Sequence, residues 1–128
     1  MKKMYSEALL EHFQNPKNVG ELRPPAITVE VMNPVCGDIL RLSVLFDGPV
    51  VSAVRYKARG CTASIAAGSA LTELIAGRTR DQLAGITASD VESAVGGLGN
   101  ESKHAAVLAV DAVKALLHDS EQNKPAGR

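Results

Sequence analysis

Residues 50–75 read VVSAVRYKARGCTASIAAGSALTELI, and the change of period inside this stretch decides the fold. Up to Arg59 the residues alternate. Val54, Tyr56 and Ala58 share one face while Arg55, Lys57 and Arg59 share the other, the pattern of a half-buried strand. Beyond Gly60-Cys61 the alternation stops and a helical period begins. Small residues come first, with Ala66, Ala67, Gly68, Ser69 and Ala70 suited to close helix packing. Leu71, Leu74 and Ile75 follow, and Gly77 is placed to end the helix.

Working back toward the N-terminus, Asp47-Gly48-Pro49 is a turn signal. Before it, Leu40, Leu42, Val44 and Phe46 alternate on one face of a second strand. The turn NPVCGD at 33–38 separates this from a first strand in which Ile27, Val29 and Val31 alternate with Thr28, Glu30 and Met32. Short connections make the three strands an antiparallel meander. Upstream, Tyr5, Leu9 and Phe13 have helical spacing, and Asn15-Pro16 should stop that helix because the residue before proline avoids the helical region.

Working forward, Thr79 with Gln82 fits a capping box, and short helices are expected at RDQLAGI and ASDVESAV. GGLGN reads as a loop. A last helix is expected from about Glu101 to His118, with Leu108, Ala112 and Leu116 in one stripe beneath His104 and Ala105. The tail from about 119 reads as disordered. The expected class is α+β: a three-stranded antiparallel meander with four to five helices packed on one face.

The chain has 128 residues, of which 45% are hydrophobic and 3% aromatic. That suits a single domain whose core is built from Val, Leu, Ile and Ala. Basic and acidic residues balance at 14 each, so no bulk positive charge draws the chain to nucleic acid or to an anionic membrane. Two Tyr and two Phe offer few stacking platforms for single strands. No apolar run is long enough to span a bilayer. The opening MKKMYSEALLEHF is amphipathic and lacks the apolar core of a signal peptide, so the expected location is the cytoplasm. In that compartment Cys36 and Cys61 are expected to be ligands, reactive thiols or core residues, not a structural disulfide.

Chemistry can sit where strands and helices end. Cys36 and Asp38 flank a glycine in the first turn. Cys61 stands where the third strand hands over to a helix, and His104 stands at the start of the last one. If the meander pairs in order, the first turn and the exit of the third strand lie at one end of the sheet, and the two cysteines can approach each other. Two thiolates, an imidazole and a carboxylate would make the four ligands of a closed zinc site. They would also suit iron, since histidine replaces cysteine in some iron–sulfur centres. A helix N-terminus and Arg59 both favour a thiolate at Cys61. Each residue also has a plain structural reading: a cysteine as a small hydrophobe, Asp38 as a turn residue, His104 as a hydrogen bonder at a helix start. No paired C-x-x-C is present, so a standard zinc finger does not fit.

In combination, these segments resemble the IscU/NifU-type iron–sulfur cluster assembly scaffolds over nearly the whole chain. YSEALLEHFQNPKNVG resembles that family's N-terminal helix and its exit. NPVCGDILRLSV resembles its first cysteine turn, RGCTASIAAGSALTELIAGRT its second cysteine and small-residue helix, and KHAAVLAVDAVKALL its last helix. The resemblance implies one scaffold domain over 1–128, with an N-terminal segment that is mobile without metal or partner. It implies Cys36 and Cys61 as thiolate ligands, Asp38 as a ligand or cluster-labilising residue, and His104 as a ligand or near-ligand. The implied cargo is a two-iron two-sulfur cluster or its iron. The implied partners are a cysteine desulfurase and apo iron–sulfur acceptor proteins.

The chain departs from the family directly after that histidine, where Ala105 stands in place of a third cysteine. GLGNESK replaces the Leu-Pro-Pro-Val-Lys segment read by the ISC chaperone, which puts chaperone docking in question. The insertion of the SufU branch is not evident. Three functions therefore compete. The first is a non-enzymatic scaffold holding cluster or iron through Cys36, Asp38, Cys61 and His104. The second is a zinc-binding regulator of a desulfurase that uses the same four residues. The third is a thiol enzyme with Cys61 as nucleophile and His104 as base, for which no oxyanion motif is evident.

Overall fold

A computed structural model of the chain describes residues 5–34 and 37–122, with side chains as far as Ser120. Three strands form one antiparallel sheet in the order β1 (Ile27–Met32), β2 (Ile39–Asp47), β3 (Val50–Arg59). The alternation sets the register: Val29 stands opposite Leu42 and Leu42 opposite Tyr56, so one face of all three strands is apolar. Between Leu45 and Phe46 the pairing slips by one residue. That bulge turns Val51 into the core and leaves Ser52 exposed, which simple alternation from Val54 would have reversed.

Five α-helices follow the expected positions: α1 (Glu7–Gln14), α2 (Thr62–Ile75), α3 (Arg80–Ala84), α4 (Ala88–Ala94) and α5 (His104–Gln122). Thr79 and Gln82 form the expected capping box, and Thr87 with Asp90 forms a second one at α4. The last helix differs from the expected 101–118. A short 3-10 turn over Asn100–Ser102 precedes it, and it runs on to Gln122. Asp119, Ser120, Glu121 and Gln122 include no glycine or proline to stop a helix. Ser120 is buried, and the rest of the tail expected to be disordered lies outside the described residues.

α5 lies against β1 and β2, and α2 lies against β3 on the same side of the sheet. The approach of α2 is close because Gly68 sits on the ring of Tyr56. A Cβ at Gly68 would fall 2.5 Å from Tyr56 Cε2. The Tyr56 hydroxyl donates to the Ile65 carbonyl of α2 at 2.8 Å, which satisfies the polar end of a buried ring. α1 packs on the outside of α2 and buries Leu9. There His12 Nδ1 lies 2.7 Å from Ser69 Oγ, and that oxygen also accepts from the Lys17 backbone N–H at 2.8 Å. Asn18 reaches Thr72 Oγ1 at 3.0 Å.

β3 is an edge strand, and both ends of its free edge are covered. Asn18 and Gly20 exchange backbone hydrogen bonds with Tyr56, and Gly77 and Arg78 do so with Val51. Among the described residues no helix is long and apolar enough to cross a membrane.

Two measurements check this packing. Gly68→Ala adds a methyl that the anchored Tyr56 ring cannot yield to, so overpacking of about 1–3 kcal/mol outweighs the helix-propensity gain of roughly 1 kcal/mol. The midpoint of urea unfolding should fall, and a midpoint at or above the parent's would refute the close contact. Burial also pushes the Tyr56 phenol up from 10.0 to about 12. The neutral phenol is the form favoured in the fold. Its stabilisation is therefore complete below pH 10.0 and is lost as the pH rises to about 12. An ultraviolet titration should show one tyrosine ionising near pH 12 or only as the chain unfolds.

Candidate metal centre

The antiparallel register brings three chain segments to one end of the sheet. Met32 pairs with Ile39 and Ile39 with Arg59, so the residues just before Ile39 and just after Arg59 are neighbours. Asp38 and Gly60-Cys61 occupy those places. α5 crosses the same end and begins with His104. Cys61 is the N-cap residue of α2 in extended conformation, and its side chain makes no capping hydrogen bond. The thiol is therefore left to face the other two groups.

Asp38, Cys61 and His104 each offer one ligand atom, and these atoms lie within 4.8 Å of one another. Cys61 Sγ is 3.5 Å from Asp38 Oδ2 and 3.7 Å from His104 Nε2. His104 Nε2 is 3.3 Å from the same Oδ2. The Ser64 hydroxyl donates to Oδ2 at 2.6 Å and lies 3.4 Å from Cys61 Sγ. Asp38 is only 6% exposed, whereas Cys61 and His104 are half-buried and open to an incoming ion. On its far side the Asp38 carboxylate presses on Gly60. A Cβ there would overlap Oδ1, and Gly60 holds a φ of +147° that other residues rarely adopt.

Burial by itself raises the Asp38 carboxyl. Hydrogen bonds from Ser64, Cys61 and His104, together with the charge of His104, outweigh burial and hold it below the ordinary 3.8. The carboxylate is thus ionised near neutral pH and ready to meet a cation.

The same distances bear on the thiol-enzyme alternative. A nucleophile–histidine–acid relay needs the acid on one ring nitrogen and the nucleophile on the other. Here Asp38 and Cys61 both approach Nε2. That arrangement differs from the relay, in which acid and nucleophile sit on opposite ring nitrogens.

Of the four residues expected to bind metal, the fold brings Asp38, Cys61 and His104 together, and Cys36 lies outside the described residues. Ala105 is buried beside His104 and offers no donor. The sequence reading passed over two residues of the site, Ser64 and Gly60. The signal for Ser64 was its place three residues after Cys61, which puts the two on one helical face. Nothing in the pattern told Gly60 apart from an ordinary strand terminator.

The family described as NifU-like N terminal domain matches residues 4–125. Iron-sulfur cluster assembly scaffold protein IscU 1 of Archaeoglobus fulgidus is 35% identical over 116 residues, covering 91% of this chain and 76% of that protein. Iron-sulfur cluster assembly scaffold protein IscU of Azotobacter vinelandii is 33% identical over 124 residues, covering 94% of this chain and 96% of that protein. Among solved structures, the N-terminal part of a NifU-like protein from Brucella abortus superimposes with a TM-score of 0.77. It is 19% identical and covers 94% of this chain and 96% of the other, a likeness of fold.

The wedge at Gly60 gives a direct check. Gly60→Ala should push Asp38 away from Cys61 and His104 and weaken binding of Co2+, used as a spectroscopic probe, by about tenfold or more. Far-ultraviolet circular dichroism should be unchanged. Parental Co2+ affinity in a folded Gly60→Ala chain would show that the carboxylate does not need its present position.

Proposed function

The chain belongs to the NifU-like N-terminal domain family, and we propose that it is a scaffold for iron–sulfur cluster assembly, holding iron or a nascent cluster and passing it to apo-proteins. The observation that carries the reading is the convergence of Asp38, Cys61 and His104, from three separate elements, within 4.8 Å. Cys36, two residues before Asp38 in sequence, is assigned as the second thiolate. The cluster is cargo on this reading and not a resident cofactor.

The mixed donor set agrees with that use. A thiolate suits iron in a sulfide environment, while a hard carboxylate binds a soft centre less firmly and favours release. His104 and Cys61 are the groups an arriving ion can reach, and Asp38 waits behind them, ionised and fixed. With Ala105 offering no thiol beside His104, sulfur is received on Cys61 or Cys36, or arrives as free sulfide. A cysteine desulfurase is the assigned sulfur source, and apo iron–sulfur proteins are the assigned recipients. No catalytic residue is assigned.

The deciding experiment is anaerobic reconstitution with iron and sulfide, followed by visible absorption, metal analysis and transfer to an apo-ferredoxin. The parent chain should form a chromophore with a two-iron two-sulfur spectrum and give it up to the acceptor. Cys61→Ala should abolish the chromophore, and His104→Ala should lose it or shorten its lifetime severalfold. If the parent holds only zinc, and colour forms only in Ala105→Cys, the scaffold reading fails and a zinc-binding regulatory role replaces it.

A further inference from the structure

Ser64 differs from the other three side chains of the site. A neutral hydroxyl is a poor metal ligand, yet its hydrogen bond to Asp38 Oδ2, at 2.6 Å, is shorter than any other contact in the cluster. Ser64 is 3% exposed, so water scarcely competes for that bond. It lies in the first turn of α2, three residues after Cys61, and its Oγ is also 3.4 Å from Cys61 Sγ. One side chain therefore touches both the thiol and the carboxylate.

A carboxylate oxygen can accept two donors. Ser64 takes one position on Oδ2, and the missing Cβ of Gly60 leaves room for Oδ1 on the far side. Between them the carboxylate is held with Oδ2 facing Sγ and Nε2 before any ion arrives. A ligand fixed in advance does not lose side-chain freedom when it binds, and an outer hydrogen bond that orients a metal-ligating carboxylate is worth about 10–100-fold in affinity. Because Ser64 belongs to the same helical turn as Cys61, it also fixes the spacing between thiol and carboxylate, which come from different elements.

We infer that Ser64 is the positioning residue of the metal centre: its hydroxyl holds Asp38 Oδ2 beside Cys61 and His104, and it contributes to metal affinity through Asp38 alone. This rests on the metal-handling role proposed above.

The test is a double-mutant cycle read with Co2+, whose visible bands report thiolate ligation. Ser64→Ala should lower Co2+ affinity by about tenfold and leave circular dichroism unchanged. Ser64→Thr, which keeps the hydroxyl, should bind as the parent does. In an Asp38→Ala background, Ser64→Ala should have no further effect.

Four results would overturn the inference. They are parental affinity in Ser64→Ala, an undiminished loss in the Asp38→Ala background, a folded Ser64→Thr chain that binds as weakly as Ser64→Ala, and unfolding of Ser64→Ala. The last would make the hydroxyl a prop of α2, since alanine itself favours a helix. A parent chain that takes up no Co2+ would remove the metal centre and the inference with it. That result is distinct from a parent that binds Co2+ no better than its Ser64→Ala variant.

Discussion

The seat of α2 on β3 fixes the rest of the molecule. Gly68 lets the helix backbone rest on the face of Tyr56, and the phenol closes the contact by donating to the Ile65 carbonyl. A helix held at that depth has no freedom to slide. Its N-terminus must then arrive at the end of the sheet where β3 stops, carrying Cys61 and Ser64 to Asp38. Its outer face offers Ser69 and Thr72 to the α1 segment, which docks through His12, the Lys17 backbone and Asn18. One missing side chain thus bears on the candidate metal centre at one end of α2 and on the N-terminal helix along its outer face.

The site shows how a fold can hold a charge it cannot solvate. An ionised carboxylate removed from water costs several kcal/mol unless donors replace the lost hydration. Asp38 recovers that cost from a hydroxyl, a thiol and an imidazole, and the last two are also the groups that would share a cation with it. The donors that stabilise the carboxylate are largely the groups proposed as its fellow ligands. On that proposal an entering ion would displace hydrogen bonds made to the same Oδ2, so binding and release would both exchange one set of polar contacts for another. Only the Ser64 contact comes from a group that is a poor ligand, and so it is free to persist through the exchange.

Most of the architecture was legible because it follows from periods. Alternation at Val54, Tyr56 and Ala58 gave β3, and the change of period at Gly60-Cys61 gave α2. The capping box at Thr79 and the stop at Asn15-Pro16 are local chemistry and fell where local chemistry placed them. The bulge at Leu45/Phe46 was not legible, since an unpaired residue leaves no mark in a strand pattern that already looks regular. Nor was the 3-10 turn before α5, where a continuous helix fits the same residues. In the site, Asp38, Cys61 and His104 could be guessed because each is chemically distinct and stands at the end of an element. Ser64 lay in a run of small residues that packing alone explains, and its role appears only once β2 and α2 are set side by side.

The absence of a thiol at Ala105 sharpens what the remaining groups must do. Ala105 is buried within α5 while His104, one residue earlier, stays half-open. Among the described residues the imidazole is therefore the one ligand-type group that the start of α5 brings to this site. A single imidazole nitrogen holds a soft centre less firmly than a nitrogen paired with a thiolate. On the scaffold reading, retention falls more heavily on the far wall, where Ser64 contacts both Asp38 and Cys61. At the site a half-buried imidazole at the start of α5 faces a buried carboxylate that accepts from Ser64 and finds room for its second oxygen beside Gly60.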